Sequence, residues 1–157
     1  MGTHALDWRS LSTREQAVLL WRHRRELACE IAPAAIEQKL ADRTGVMLAK
    51  RDALAFVNQE GERGVCIAYV LVRPGMRGKG IGAQMLAAVR ARFPNAPLSL
   101  QCYGAERAAF FERHGFIRPP IMTGGGYFLM HSDPAAAQAY VDTLPASLRR
   151  ASGSQNR

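Results

Sequence analysis

The sequence predicts one domain of the α/β class. Segments with helical spacing of apolar residues alternate with short runs typical of strands, and neither an internal repeat nor a linker interrupts the 157 residues. The clearest strand spans residues 65–72, which are β-branched, aromatic and apolar on both faces, as expected of a strand buried in the middle of a sheet. With 48% hydrophobic and 22% charged residues, the composition is ordinary for a soluble globular protein.

The elements before residue 73 begin with a short strand predicted at 3–8 and two helices. Ser12 and Glu15 match a capping box, in which a hydroxyl and a carboxylate each accept a hydrogen bond from a free amide at a helix start. Apolar residues then follow helical spacing as far as Ile31, and Pro33 suits the first turn of a second helix. The strands predicted after these helices span 46–49, 52–57 and 65–72.

The elements after residue 73 alternate in type. A helix is predicted to begin at Ile81, and a short helix follows at 105–114, closed by Gly115 as a C-terminal cap. We assign residues 1–132 to the domain proper and 133–157 to its C-terminal extension, a last helix with a frayed polar tail. The strands predicted between these helices span 98–102, 116–117 and 127–130.

Composition and spacing exclude several classes of protein. No run approaches the ~20 apolar residues of a membrane span. The N-terminus lacks a basic head followed by an apolar stretch, so no signal peptide is predicted and we expect a cytoplasmic location. Cys29, Cys66 and Cys102 are widely spaced, without the close Cys or His pairs of a zinc site. We therefore expect no metal and interpret the three as free thiols in a reducing compartment.

The net charge of +8 is concentrated in the middle of the chain. Residues 65–118 hold 8 Lys and Arg against 2 Asp and Glu, a net +6. This segment lacks the interleaved aromatic residues of a platform that binds single-stranded nucleic acid, so nucleic acid is not the favoured partner. It does contain a glycine-rich loop, which indicates a compact polyanionic ligand instead.

The glycine-rich loop is Arg77-Gly78-Lys79-Gly80-Ile81-Gly82, between the strand at 65–72 and the next helix. Glycines let the backbone turn tightly and gather amides at a helix N-terminus, where partial positive charge and unpaired donors bind phosphate. A P-loop does not fit, because Arg73 and Gly80 stand where that motif has Gly and Ser or Thr. Gly78-x-Gly80-x-x-Ala83 matches the relaxed dinucleotide fingerprint, but Pro74-Gly75-Met76-Arg77 intervenes between the strand and its first glycine, and the next strand carries no acid.

Two motifs carry a resemblance to a known family. Val72-x-Pro74-x-x-Arg77-Gly78-Lys79-Gly80-Ile81-Gly82 resembles the acyl-CoA loop of the Gcn5-related N-acetyltransferase (GNAT) superfamily, whose signature is (Gln/Arg)-x-x-Gly-x-(Gly/Ala). Phe110-Phe111-Glu112-Arg113-His114-Gly115-Phe116 resembles that family's Phe-Tyr-Glu-Lys-x-Gly-Phe segment. The two occur in the family's order, with a helix and a strand between them, and the resemblance covers roughly residues 46–131.

The resemblance implies a fold, a co-substrate and a set of contacts. The fold is a GNAT-like three-layer sandwich, with a mixed, splayed central sheet and helices on both faces. The co-substrate is acetyl-CoA: main-chain groups at the end of the strand at 65–72 would pair with the pantetheine arm, and loop amides would cradle the pyrophosphate. The residues implied in cofactor binding are Val70, Leu71, Val72, Arg77, Gly78, Lys79, Gly80, Ile81, Gly82 and Phe111.

The implied reaction is direct acetyl transfer to a primary amine, but the usual general acid is missing. In the family, the Tyr of Phe-Tyr-Glu-Lys protonates the leaving thiolate, whereas Phe111 has no proton to give. Tyr103 is our first candidate for this role, ahead of Cys102 and Tyr127, and water is a further source of the proton. The general base stays unassigned, because solvated or core roles suit each possible residue at least as well: Glu60, Glu62, Tyr69, His114 and His131.

Two rival functions stay open. The loss of the tyrosine at Phe111 is compatible with a regulatory module that binds CoA without chemistry. The basic segment at 65–118 is compatible with an enzyme that acylates aminoacyl-tRNA, although the phosphates of CoA account for the same charge. The acceptor is expected to be a small-molecule or peptide amine, and the protein a monomer or homodimer without a membrane partner.

Overall fold

The structure is a computed structural model that describes residues 5–27, 30–59, 64–123 and 125–151. The chain divides into two units, Met1–Ala96 and Pro97–Arg157. The first unit contains a 3₁₀ turn at Trp8–Ser10 and, in chain order, α1 (Thr13–Arg22), α2 (Pro33–Ala41), β1 (Gly45–Lys50), β2 (Ala53–Gln59), β3 (Val65–Val72), a 3₁₀ turn at Pro74–Met76 and α3 (Ile81–Arg92).

The start of α1 follows the capping pattern in the sequence. The amide of Glu15 donates to Oγ of Ser12 at 3.2 Å, and the amide of Ser12 donates to Oε2 of Glu15 at 2.7 Å. These two bonds satisfy amides that a helix start would otherwise leave unpaired. The strand predicted at 3–8 is wrong in the described part, because Trp8 begins a 3₁₀ turn and its side chain is buried.

The sheet of the first unit is antiparallel, with β2 paired to both β1 and β3. Leu54 and Phe56 of β2 belong to a core cluster with Leu20 of α1 and Ile36 of α2. The alternate residues of β2 are buried as well, and α3 packs against the same strand, so helices cover both faces here. A register shift between Phe56 and Val57 interrupts the pairing of β2 with β3.

The burial of β3 differs from the expectation. Val65, Ile67, Tyr69 and Leu71 are buried, whereas the residues between them are only half-buried. The strand buried on both faces is β2, because β2 lies between two partners and between helices on either face. A run that is apolar throughout therefore predicted the bounds of β3 correctly, but not that one of its faces is only half-buried.

The second unit contains β4 (Leu98–Tyr103), α4 (Ala105–Arg113), β5 (Tyr127–His131), α5 (Pro134–Thr143) and α6 (Ala146–Ala151). β4 and β5 pair antiparallel, with Leu100 opposite Met130 and both buried. The strand predicted at 116–117 is reduced to a single bridge between Ile117 and His131, since the two prolines that follow cannot donate to a ladder. Asp133 caps α5 through the amide of Ala136 at 2.9 Å.

Candidate functional site

The glycine-rich loop has a backbone that requires glycine. Gly78 and Gly80 have φ angles of 79° and 81°, and Gly80 is the N-cap of α3. A residue with a side chain would pay about 1–2 kcal/mol at each such position. A Cβ placed on either glycine would meet no atom within 4 Å, so glycine is needed here for conformation and the space over the loop is open.

The amides at the start of α3 are available to a ligand. Among the residues that the structure describes, none accepts a hydrogen bond from the amides of Ile81, Gly82 or Ala83. The first bond of the helix runs from the amide of Gln84 to the carbonyl of Gly80 at 3.1 Å. No acidic side chain lies in the first turn. Unpaired donors, the positive end of the helix dipole and open space together fit a phosphate group.

The two cationic side chains of the loop differ in their contacts. Arg77 donates from Nε to the carbonyl of Val72 at 3.3 Å and pairs through Nη2 with Oε1 of Glu26 at 2.5 Å. Lys79 lies on the exposed side of the loop, with Nζ 3.8 Å from Sδ of Met76. Lys79 is therefore the loop cation whose charge no carboxylate of the described residues compensates.

The end of β3 leads directly into this loop. Leu71 is buried in the core cluster, while Val70 and Val72 are half-buried on the opposite face of the strand. On the β2 side they pair with the run from Ala53 to Ala55. The residues predicted to bind the pantetheine arm and the pyrophosphate thus form one continuous segment of the first unit.

The second unit holds the other two predicted site residues. Tyr103 ends β4 and is 39% exposed as a residue, with its ring edge-on to Tyr127 at 5.8 Å between centroids. Phe111 lies on α4, where its ring packs against Phe110 at 5.1 Å and Phe116 at 5.9 Å. Tyr103 therefore presents a phenol at a partly exposed strand end, whereas Phe111 contributes only an aromatic surface.

The weaker catalytic candidates occupy less suitable places. The hydroxyl of Tyr69 is tied to the main chain of Ile31, 3.0 Å from its N and 3.3 Å from its O, so Tyr69 is a core residue. Burial raises the pKa of the Cys102 thiol, which keeps it protonated at neutral pH. Burial likewise lowers the pKa of His131, with Asp133 opposing this shift in part. Cys29, Glu60 and Glu62 lie outside the described residues.

A comparison with family models decides which family this is. The model described as acetyltransferase (GNAT) domain matches residues 40–118, half of the chain. The chain belongs to the GNAT family. The prediction of an enzyme of the acetyltransferase class is confirmed by this match. A comparison with curated proteins gives no match.

Solved structures of GNAT proteins resemble the chain in fold. The ribosomal-protein-S18-alanine N-acetyltransferase from Escherichia coli matches with a TM-score of 0.53 and 17% identity, over 78% of this chain and 89% of its own. Ard1 from Thermoplasma volcanium matches with a TM-score of 0.56 and 15% identity, over 77% and 92%. The PaiA N-acetyltransferase from Thermoplasma acidophilum, solved in complex with coenzyme A, matches with a TM-score of 0.53 and 12% identity, over 80% and 81%.

These matches confirm the predicted fold class, an α/β GNAT fold with a mixed sheet. At such identities the likeness concerns the fold alone. None of the helices in the described ranges combines the length and apolar character that crossing a membrane requires. The described part of the GNAT chain also contains no group of three His, Cys, Asp or Glu residues placed to hold a metal ion.

Two features of this GNAT protein were not predicted from the sequence. Glu26, in the turn after α1, reaches Arg77 although about fifty positions separate them in the chain, and no pattern in the sequence marks this pair. A pocket of about 260 Å³ lies within the second unit, lined by β5, α5 and the segment 117–119, with His131 and Tyr140 among its residues. None of the residues predicted to bind CoA lines this pocket.

Proposed function

We propose that this GNAT protein transfers an acetyl group from acetyl-CoA directly to a primary amine. The observation that carries the proposal is the loop at 77–82, where Gly78 and Gly80 adopt positive φ and the helix amides have no acceptor among the described residues. A polyanion of the size of the CoA pyrophosphate suits this arrangement, and the family of the chain uses acyl-CoA chemistry.

In this proposal the first unit holds the co-substrate. The amides from Gly78 to Ala83 bind the pyrophosphate, with Lys79 adding a full positive charge. Main-chain groups of Val70, Leu71 and Val72 hold the pantetheine arm and polarise the thioester carbonyl, where negative charge develops during attack. The thioester supplies the activated acetyl group. Holding both substrates in line supplies much of the rate enhancement, because a bimolecular reaction then proceeds as a unimolecular step within the complex.

Tyr103 is our proposed general acid. The phenol can give a proton to the leaving thiolate, and Tyr103 lies partly exposed at the end of β4. Phe111, at the family's usual position for this tyrosine, packs its ring among aromatic neighbours and has no proton to give. The amine must lose a proton before attack, and we assign no residue to that step.

The acceptor is proposed to be a small-molecule or peptide amine, and the location the cytoplasm. The name of the Escherichia coli enzyme indicates that its acceptor is an alanine of ribosomal protein S18, which is compatible with a peptide amine here. Phe111 favours a second candidate function, a module that binds CoA without turnover, because the position that usually carries the acid is aromatic and apolar here.

A thiol-release assay separates these functions. The protein is incubated with acetyl-CoA and a panel of a polyamine, an aminoglycoside, a peptide with a free α-amine and a lysine peptide, and the CoA thiol is followed. Release that depends on one of the amines supports the proposal. Tight CoA binding without turnover on a broad panel supports the second candidate, and absence of CoA binding overturns both.

The loop is tested by replacing Gly82 with valine. A branched side chain in the first turn of α3 covers the amides that we assign to the pyrophosphate, so CoA affinity should fall at least about 30-fold (about 2 kcal/mol) by isothermal titration calorimetry. The matched control is Gly75→Val, because Gly75 has ordinary φ and open space around it but precedes the loop. Circular dichroism should show both variants folded. Wild-type affinity in the Gly82 variant would refute the phosphate cradle.

A further inference from the structure

Glu26 contacts the phosphate loop through Arg77. Its Oε1 lies 2.5 Å from Nη2 of Arg77, while its Oε2 lies 3.2 Å from Nδ1 of His23. The Nε–H of Arg77 donates to the carbonyl of Val72 at the end of β3. The guanidinium is thus held from two directions, by the turn after α1 and by the strand that leads into the loop.

The charges near the loop are unevenly compensated. Arg73 is paired with Asp52 at 2.8 Å and also donates to the carbonyl of Leu6, so its charge is engaged away from the loop. Arg77 is compensated by Glu26. Within the described ranges, only Lys79 of these three cations has no carboxylate partner. The positive potential over the loop is therefore smaller than the sequence Arg-Gly-Lys-Gly indicates.

We propose that Glu26 is a positioning residue that limits the affinity of the loop for CoA, because the phosphates of CoA share Arg77 with it. This inference rests on the proposed function of the loop. A guanidinium has five N–H donors, and Val72 and Glu26 each engage one nitrogen of Arg77, which leaves donors for a phosphate oxygen. The carboxylate lowers the positive charge that the phosphates meet.

The effect of Glu26 should appear in binding rather than in chemistry. The side chains of Glu26 and Arg77 are 29% and 44% exposed, so solvent and salt screen the pair and its influence is modest. The phosphates of CoA lie far from the reacting carbonyl and change little during acyl transfer. The protein therefore binds them equally strongly in the ground state and in the transition state. Removing the carboxylate should lower the KM for acetyl-CoA and leave kcat unchanged.

The test is Glu26→Gln, which keeps the shape of the side chain and removes its charge. We expect CoA to bind about three- to tenfold more tightly at low salt by isothermal titration calorimetry, with the gain shrinking at high salt. The KM for S-acetylpantetheine, which lacks the pyrophosphate, should stay unchanged. The matched control is Glu37→Gln, since Glu37 is similarly exposed at 34% and pairs with Arg14, away from the loop.

A second variant replaces the other residue of the ion pair, Arg77. Arg77→Met leaves the carboxylate of Glu26 uncompensated beside the loop, so CoA should bind about three- to tenfold more weakly than to the wild type. Unchanged or weaker CoA binding by Glu26→Gln, or an equal shift with S-acetylpantetheine, overturns the inference. If the wild-type protein itself binds no CoA, the proposed function fails instead, so the two failures are distinguishable.

Discussion

At the scale of single residues, the proposed reaction needs a group that gives a proton to the leaving thiolate. Phe111 packs with Phe110 and Phe116, and it lies in the segment that resembles the family's Phe-Tyr-Glu-Lys motif. A tyrosine at this position would carry a hydroxyl group on its ring, which phenylalanine lacks. The proposed reaction therefore needs a proton source elsewhere, and we propose a phenol within the same unit, with water as the alternative.

Tyr103→Phe tests that replacement. The substitution keeps the ring and its edge-on contact with Tyr127, so the fold should be unaffected. We expect kcat to fall about 10- to 100-fold, toward the low end of general acid catalysis because a thiolate is easily protonated, with the KM for acetyl-CoA unchanged.

The matched control for Tyr103 is Tyr127→Phe, which alters the other hydroxyl of the same aromatic pair and should keep near wild-type kcat. Adding Phe111→Tyr to the Tyr103 variant should restore part of the lost rate. Wild-type kcat in Tyr103→Phe would exclude Tyr103 as the acid and favour water.

The residues of the loop could be predicted from the sequence, and the partner of Arg77 could not. Gly78 and Gly80 were expected to permit a tight turn, and both adopt the positive φ that glycine accepts best. Local spacing carries this information because the turn is local. The contact of Glu26 with Arg77 depends on where the turn after α1 packs, which is a tertiary property without a local pattern.

At the scale of helices and strands, helix-capping residues explain which helix starts could be predicted, and a proline explains why the last helix was predicted wrongly. The capping box at Ser12 and Glu15 correctly predicted the start of α1, and Pro33 correctly predicted the start of α2. The single last helix predicted within 133–157 is divided into α5 and α6. Leu144 is extended because Pro145 follows it, and the residue before a proline disfavours the helical region.

Ser12→Ala measures what the capping box contributes. The substitution leaves the amide of Glu15 without its acceptor at the exposed start of α1, so the free energy of unfolding should fall by about 0.5–2 kcal/mol. Urea unfolding followed by circular dichroism gives the value. Thr13→Ala, at the next exposed position, should stay within about 0.5 kcal/mol of the wild type. Equal effects of the two substitutions would show that the cap contributes nothing specific.

At the scale of the whole molecule, the family match and the charge distribution favour the same ligand. The net charge of +8 suggests a polyanion, and the match to residues 40–118 covers both the loop and the Phe110–Phe116 segment. The fold class could be predicted because it rests on motifs, whereas CoA binding by the loop stays a prediction. The unequal burial of the two faces of β3 could not be predicted, since β2 and β3 are both apolar and only their packing distinguishes them.

The stability of the whole chain should depend on pH through His131. Burial lowers the pKa of His131 below its ordinary value of 6.5, and Asp133 offsets only part of this shift. The unfolded chain therefore binds more protons at this residue than the folded chain does. The contribution of neutral His131 to the free energy of unfolding is fully present above pH 6.5. This contribution is lost as the pH falls from there through the lowered pKa of His131 in the folded state.

His131→Gln removes this titration, so its Tm should fall less than that of the wild type between about pH 7.5 and about pH 5. The slopes of Tm against pH are compared rather than the Tm values themselves, because the substitution also alters the ring contact with Tyr140 and changes Tm at every pH. The other histidines are the same in both proteins, so any contribution from them cancels in the difference. Parallel curves of Tm against pH would mean that the imidazole is equally easily protonated in the folded and unfolded chain, and that its burial beside α5 does not destabilise the charged form.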